Sequence, residues 1–503
     1  MRYKILSVFA AAAALAACSD LTSINNNPNG PQDVDPPSML ASSLDAIASG
    51  VNGVNSLNIR GAGLWAQYYA EIQYRDEDKY ILRSGSSGGW AFYNGAAENA
   101  QRMIAKGQAA TRPNWTAVGR ILKSYVFSVM TDAMGDLPYS QALKSDTVLQ
   151  PVYDTQQSIY SALFTDLAQA TSDIDVAAAA PAGDPVGFGF PNGDILYGGD
   201  MSQWRKFANS LRLRLAIHLS KVDSVKAASE AAAAVAAGVF TSSADNATLE
   251  YLATAPNQNP IYQDVHVGGR DDYGLSKTYV DSLVSWNDPR LPIFAQIPPA
   301  GTAIRGLPNG LNDGQKIDDT FDALKYISRI GAMWRETPNA PLPLLTYSEV
   351  LFLEAEAAEH GWIPGSAATF YSGAIQAAME EYGVPAAAIT TYLADARVTY
   401  VPGTAGLTQI AYQKWVSLFM QGMESWTEVR RTGVPAIVPG CNAVLRHIPE
   451  RLPYDDNEAV LNQQNLQAAV TAQGFSASND IAKPLWFTKR TTSTTYPPPA
   501  YCP

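Results

Sequence analysis

The sequence predicts a mainly α-helical fold, in which paired helices form a scaffold and a loop-rich part contains a few short strands. Three observations support this fold class. Apolar residues recur at spacings of three and four along several segments, a helix–turn–helix pair lies between residues 346 and 382, and helical periodicity fades between residues 241 and 340. We expect a single domain over residues 38–503.

The first 37 residues form a separate segment. A basic start is followed by the uncharged run ILSVFAAAAALAA at 5–17, which is shorter than the roughly 20 residues that a membrane-spanning helix needs. This pattern is typical of a secretory signal peptide. The tetrapeptide LAAC also resembles the bacterial lipobox, where the chain is cut before a cysteine that then carries fatty acids such as palmitate. We expect a signal peptide over 1–17 and lipidated Cys18 with a flexible tether over 18–37; the alternative is an ordinary secretory signal.

The first helical part is predicted to cover residues 38–240. Its clearest helix runs from Asn114 to Met134, where Gly135 ends it and a proline soon follows. Thr155 is a plausible N-cap for the next helix. Two further helices are predicted at 203–221 and 224–237. The loop-rich insertion over about 241–340 follows, with a few short strands.

The second helical part is predicted to cover about 341–433. Thr346 and Glu349 have the spacing of a capping box. A helix from Thr346 and a partner over 366–382 would form an αα-hairpin, which resembles the way tetratricopeptide repeats stack, although no clean 34-residue period is present. The last long helix is predicted at 408–421, and residues 434–503 are expected to be rich in loops.

Charge and cysteine content limit the possible functions. The chain has 47 acidic and 35 basic residues and a formal net charge of −12, which argues against nucleic-acid binding because phosphate contacts need clustered Lys and Arg. Cys441 and Cys502 could form a disulfide in an exported chain, but two cysteines alone do not establish one.

Four segments, in order, resemble the SusD/RagB family, and the INNNPN start at 24–29 is similar to its SusD-like branch. A RLPYDDNEAVLNQQN stretch at 451–465 follows the fourth segment. The four segments are TDAMGDLPYSQAL (131–143), WRKFANSLRLRLAIHL (204–219), PLPLLTYSEVLFLEAEAAEHGW (341–362) and YQKWVSLFMQGMESWTEVRRTGVP (412–435).

The resemblance implies a lipid-anchored outer-membrane protein that faces the cell exterior. It implies a fold of four tetratricopeptide-like helix pairs that support a loop-rich ligand-binding face with short strands. The implied function is to bind an oligosaccharide or an oligopeptide and deliver it to a SusC-type TonB-dependent transporter. No catalysis, cofactor or metal is implied.

Aromatic and amide side chains are the candidate ligand contacts, because sugars present apolar ring faces and hydroxyl rims. In glycan-binding relatives, a Trp- and Asn-bearing segment at a place comparable to GGWAFYNGAAEN (88–99) contributes to the site. Each aromatic could instead be part of the core. The candidates are Trp90, Tyr93, Asn94 and Asn99 in that segment and Tyr273, Trp286, Tyr326 and Trp334 in the insertion.

Charged residues near the end of the fourth segment raise a separate question. Glu424, Arg430 and Arg431, together with Trp426, are predicted to form a semi-buried ion network. The alternative is that the two arginines bind an anionic ligand.

Four catalytic or metal-binding interpretations are weighed against this function. The GSSGG loop at 85–89 matches the G-x-S-x-G motif of serine hydrolases, with Ser87 as nucleophile and His360 or His447 as base, but that fold needs several βα units. Glu354, Glu356 and Glu359 are expected on a solvated or salt-bridged surface rather than in a glycosidase site. The acid pairs 271–272 and 318–319 lack EF-hand spacing, and no zinc motif is present.

A last alternative is a helical-repeat assembly protein that binds other proteins and no small ligand.

Overall fold

The computed structural model describes residues 34–54, 57–82, 88–144, 147–177, 193–316 and 322–502. The predicted signal peptide, Cys18, most of the tether, Ser87 and the acid pair 318–319 lie outside these residues. Within them, no helix is both long enough and apolar enough to cross a membrane.

Helices dominate the fold, as predicted, and the longer ones are labelled in chain order. They are α1 (Pro36–Asn52), α2 (Glu98–Ala109), α3 (Pro113–Met134), α4 (Gln156–Asp173), α5 (Met201–His218), α6 (Ser224–Ala237), α7 (Lys277–Ser285), α8 (Tyr347–Glu359), α9 (Ala367–Glu381), α10 (Ala386–Leu393), α11 (Thr404–Ser417), α12 (Gly422–Thr432) and α13 (Gln463–Ala472). Short helical segments are Ala62–Trp65, Pro260–Tyr262, Leu291–Phe294, Ala323–Tyr326, Ala332–Arg335 and Glu458–Leu461.

Helix pairs form the scaffold. α2 packs on α3, α3 on α4, α5 on α6, and α8 on α9, so that neighbours in sequence are also neighbours in space. Local signals explain several boundaries: Gly135 has φ 89° at the end of α3, and Thr155 Oγ1 accepts a hydrogen bond from the Ser158 amide at the start of α4. The mainly α-helical fold class is confirmed.

Two expectations in the second helical part are wrong. Thr346 caps α8 by accepting from the Glu349 amide, but the Glu349 carboxylate binds Arg214 instead of returning to the Thr346 amide, so no capping box forms. The helix predicted at 408–421 ends earlier, at Ser417, as α11, and a separate helix, α12, begins at Gly422, beyond the predicted range. Met420, at φ 75°, lies in the break between them.

Two short antiparallel sheets tie the loop-rich insertion to the scaffold. β1 (Tyr69–Glu71) pairs with β3 (Tyr273–Leu275), and β2 (Ala247–Leu249) pairs with β4 (Leu342–Leu345). An aromatic cluster packs where the insertion meets α11: the rings of Tyr279 and Phe419 stack with centroids 5.2 Å apart. The insertion is therefore part of the same folded body.

The loop-rich C-terminal part is fastened by a covalent link. Cys441 and Cys502 form a disulfide, which resolves the pairing that the sequence left open. α13 interrupts the loops expected over 434–503.

Candidate functional site

An irregular helical turn places the first group of predicted ligand contacts. Gly88–Phe92 forms a 3₁₀ turn and Tyr93–Ala97 a π turn, directly before α2. π turns are rare and are frequent at functional sites. Phe92 is buried and its ring lies against α1 at Gly50, where a Cβ would come within 2.8 Å of the ring. The turn thereby anchors Phe92 in the core while Asn94 stays exposed.

Trp90 lies at the centre of an aromatic group. Its ring centroid is 5.0 Å from that of Tyr93, 6.4 Å from that of Tyr153 and 6.3 Å from that of Tyr454. Tyr93 is fixed because its hydroxyl donates a 2.5 Å hydrogen bond to the Pro138 carbonyl. Trp90, Tyr93 and Tyr153 remain half-buried, whereas Tyr454 is fully buried beneath them.

Trp90, Tyr93 and Asn94 line a cavity of about 360 Å³, which we name the Trp90 cleft. This volume falls within the range of small-molecule sites. Its other lining residues are Glu98, Arg102, Pro138, Gln141, Ala142, Leu143, Lys144, Val148, Pro151 and Glu458.

Polar groups of the cleft are held in place by neighbours. The Tyr153 hydroxyl donates a 2.8 Å hydrogen bond to Glu458 Oε2, and Asn462 Nδ2 donates to the same oxygen at 3.2 Å. Burial and then the nearby Glu458 raise the pKa of Tyr153 far above its usual range, so its phenol stays protonated. Arg102 Nε donates to Glu98 Oε1 at 2.7 Å. The arrangement offers ring faces beside fixed donors and acceptors.

The other predicted contacts lie elsewhere. Asn99 faces α1, where its Nδ2 is 3.4 Å from Ser42 Oγ. Tyr273 is buried in β3 and donates to Asp264 Oδ2 at 2.6 Å, and Trp334 is buried against Phe294 and Phe419.

Two insertion aromatics remain half-buried outside the Trp90 cleft. Trp286 stacks on Tyr412 with ring centroids 4.6 Å apart, and the Arg397 guanidinium carbon lies 5.8 Å from the Trp286 ring centroid. Tyr326 ends a short helical segment. The structure brings neither of them to Trp90.

Several cleft residues were missed by sequence reasoning. Glu98 lies inside the predicted segment 88–99 and Arg102 lies one turn after it on α2, so helical spacing could have found both. Glu458 belongs to the RLPYDDNEAVLNQQN stretch, but its position beside Tyr153, 305 residues away in sequence, depends on the tertiary fold.

The comparison with known families now bears on this cleft. A family model named SusD-like, described as "Starch-binding associating with outer membrane", matches residues 28–455. The chain belongs to the SusD-like family. Its family description is one of a binding protein.

Solved structures agree with the assignment to the SusD-like family. A chitin-binding protein is 27% identical, with a TM-score of 0.76, over 91% of this chain and 100% of its own. A SusD homologue from Bacteroides fragilis NCTC 9343 is 25% identical, with a TM-score of 0.74, over 92% and 100%. A chitin-binding SusD homologue from Flavobacterium johnsoniae, at 22% identity and a TM-score of 0.77 over 91% and 99%, shows the same fold. No curated protein sequence matches the chain.

A second group of functional-looking residues in this SusD-like chain is a buried ion network. Its members come from α3, α5, α8, α11 and α12 and are at most about a tenth exposed. They are Asp132, Arg214, His218, Glu349, Glu356, Lys414, Glu424, Glu428 and Arg431.

Arg431 shows how completely the ion network is paired. Its guanidinium bridges Glu356 and Glu428, each at 2.6 Å, which confirms the predicted ion pairing of this arginine. Glu354 and Glu356 are both buried, so their expected surface position is wrong, although the predicted salt bridge is present for Glu356. Arg430 has different partners. Its guanidinium carbon lies 3.4 Å from the Trp426 ring centroid, and it donates hydrogen bonds to the backbone carbonyls of Glu450 and Asp132.

His218 lies between two carboxylates, with Nδ1 3.0 Å from Asp132 Oδ2 and Nε2 3.0 Å from Glu424 Oε1. Burial disfavours its charged form, but Glu424 and Asp132 outweigh burial and raise the pKa of His218 to about 9. His218, Glu424 and Glu428 bring ligand-type atoms within 4.8 Å of one another. Lys414 Nζ, 3.2 Å from Glu428 Oε2, already supplies a cation there, so the group fits a structural role better than a metal site.

The hydrolase and calcium interpretations gain no support. In the part of the chain that the structure describes, both sheets are two-stranded and antiparallel, unlike the parallel sheet of an α/β-hydrolase. Asp271 pairs with Arg329 and Arg335, and Asp272 pairs with Arg60 and Arg270, so the acid pair is neutralised by arginines.

Proposed function

We propose that this chain binds an oligosaccharide in the Trp90 cleft at the cell surface and delivers it, chemically unchanged, to a SusC-type TonB-dependent transporter. The observation that carries this proposal is the cleft itself, about 360 Å³ in volume, which combines half-exposed aromatic rings with ordered polar groups. The apolar faces of sugar rings would pack on Trp90 and Tyr93, while Asn94 and Glu458 would serve the hydroxyl groups.

Two comparisons favour a saccharide over a peptide as the ligand. The family description names starch binding, and the 27% identical relative is named a chitin-binding protein. The cleft also suits a neutral ligand, because Glu98 is paired with Arg102, Glu458 already accepts two hydrogen bonds, and the Lys144 ammonium donates to the Ser140 carbonyl. Trp286 and Tyr326 stay predictions of ligand contact that the proposal does not use.

The proposed location rests on the sequence. A signal peptide over 1–17 and acylation of Cys18 would anchor the chain to the outer membrane with its body facing outward. Replacing Cys18 with Ala should release the chain into a soluble fraction of cells that lack the partner transporter. Retention of the Cys18→Ala chain in the membrane would contradict this anchor.

The ligand class can be tested by calorimetric titration of the mature, detergent-solubilised chain with starch oligosaccharides, chitin oligosaccharides and a peptide pool. Saturable binding of a saccharide without new products is the expected result. Binding of peptides alone would contradict the saccharide assignment. Product formation abolished by Ser87→Ala would instead favour the hydrolase, and co-purification with a transporter without any saccharide binding would favour the assembly protein.

A further inference from the structure

A second cavity of about 340 Å³ lies near the Trp90 cleft and shares none of its lining residues. It is built by the start of α4, the end of α13 and the segment 483–491. Asp136 lines this cavity, whereas Pro138, two residues further on, lines the Trp90 cleft. We name it the Lys483 cavity.

The apolar part of the Lys483 cavity contains one partly exposed aromatic ring. Trp486 is half-buried, with its ring centroid 6.1 Å from that of buried Tyr160, so it lies at the boundary between the core and the cavity. Phe475 and Leu485 are buried beside it and extend the apolar wall. An aromatic ring at the edge of a concave surface can support the apolar face of a sugar.

The polar part of the cavity has an unusual charge balance. Lys483 is half-buried, yet its ammonium makes no ion pair or hydrogen bond with any other residue in the described ranges. An ammonium that has no partner within the described ranges can pair with an anionic group of a ligand that enters the cavity. Arg490 adds a second cation: its Nη2 donates to Glu450, but its buried Nε has no partner.

The acidic residue of the lining does not cancel this charge. Asp136 is buried, and its Oδ1 accepts a 2.8 Å hydrogen bond from the Gln156 amide, so this carboxylate is already engaged within the fold. Burial raises the pKa of Asp136 to about 6. The chain as a whole carries a net charge of −12, which makes a locally cationic cavity the exception.

We propose that the Lys483 cavity is a second saccharide site that binds a carboxylate-bearing sugar, of the uronic-acid class. Trp486 packs on the sugar ring, and Lys483 pairs with its carboxylate. A single free ammonium matches a monoanion better than a phosphate dianion, which the acidic chain would repel more strongly. This proposal stands independently of the ligand that the Trp90 cleft takes.

The test is a calorimetric titration with oligogalacturonides, compared with neutral galacto-oligosaccharides of equal length, at low and high salt. The acidic series should bind and the neutral series should not, and binding should weaken as salt rises. Lys483→Gln should weaken binding about tenfold, the loss of one charge-assisted hydrogen bond. Trp486→Ala should abolish it, and Trp90→Ala should leave it unchanged.

Lys483→Gln keeps the test valid if Trp486→Ala fails to fold, because Lys483 holds no other part of the described structure. Unaltered oligogalacturonide affinity in Lys483→Gln would overturn the proposal, as would the absence of binding at millimolar ligand. Binding of an acidic peptide but of no oligogalacturonide would overturn the sugar assignment. Loss of binding in Trp90→Ala alone would place acidic sugars in the Trp90 cleft and also overturn it.

Discussion

The Trp90 cleft and the buried ion network use similar residue types for opposite purposes. Both bring together segments that are hundreds of residues apart, and both contain carboxylates and basic groups. In the network, Arg431 bridges Glu356 and Glu428 and is 1% exposed, so its charge is neutralised by carboxylates inside the fold. In the cleft, Arg102 is 59% exposed and the aromatic rings face a cavity. Burial and pairing, rather than residue type, separate a structural charge from one available to a ligand.

The largest expected effect is on stability, from breaking the network. Arg431→Ala would leave Glu356 and Glu428 buried without their partner, and removal of one member of a buried pair destabilises by about 4 kcal/mol. Urea denaturation measures this loss. The matched change Arg102→Ala, at the edge of the cleft, should alter the free energy of unfolding by less than about 1 kcal/mol. Equal losses in the two variants would contradict the comparison.

The network should also make the free energy of unfolding fall at alkaline pH. The pKa of His218 is about 9 in the folded chain, above its value of 6.5 in the unfolded chain, so its contribution is complete below pH 6.5 and is lost as pH rises through 9. The contribution is on the order of 3 kcal/mol. Denaturation at pH 6.5 and pH 9 should show this decline in the wild type but not in His218→Gln. An equal decline in the wild type and in His218→Gln would show that other titratable groups cause it.

The next effect is on ligand affinity. Trp90→Ala removes the central ring of the cleft and should lower affinity for the saccharide about thirtyfold, or about 2 kcal/mol. Trp286→Ala is the matched control, since Trp286 is also half-buried but lies outside the cleft. Calorimetry measures both affinities. A larger loss in Trp286→Ala would move the site to the insertion.

The smallest effect is expected from the edge of the cleft. Tyr153→Phe removes the hydrogen bond to Glu458 but keeps the ring beside Trp90. Freed of this donor, Glu458 should hold its position less well, and affinity should fall a few-fold, the equivalent of about 1 kcal/mol. Unchanged affinity, measured by the same titration, would show that the ligand does not use Glu458.

Local sequence signals predicted the scaffold well. Thr155 and Gly135 marked helix ends because caps and turns act over a few residues, and the structure places α6 at Ser224–Ala237, the range predicted. Glu349 shows the limit of such signals: its spacing from Thr346 matched a capping box, but the tertiary partner Arg214 competes for its carboxylate.

The candidate site was predictable only in part. Trp90, Tyr93 and Asn94 share one short segment and line one cavity, as local reasoning could anticipate. Trp334 could not be distinguished from a surface aromatic by sequence, because its burial depends on Phe294 and Phe419, which reach it through the fold. Sequence spacing could not identify the partners of His218 in the ion network either, because they lie up to 210 residues away.

The most direct test of the central claim is a crystal structure of the chain with the neutral oligosaccharide that binds most tightly. The account predicts a sugar ring packed on Trp90, with hydroxyl groups within hydrogen-bonding distance of Asn94 or Glu458. A sugar bound elsewhere, with the Trp90 cleft holding only solvent, would contradict the account.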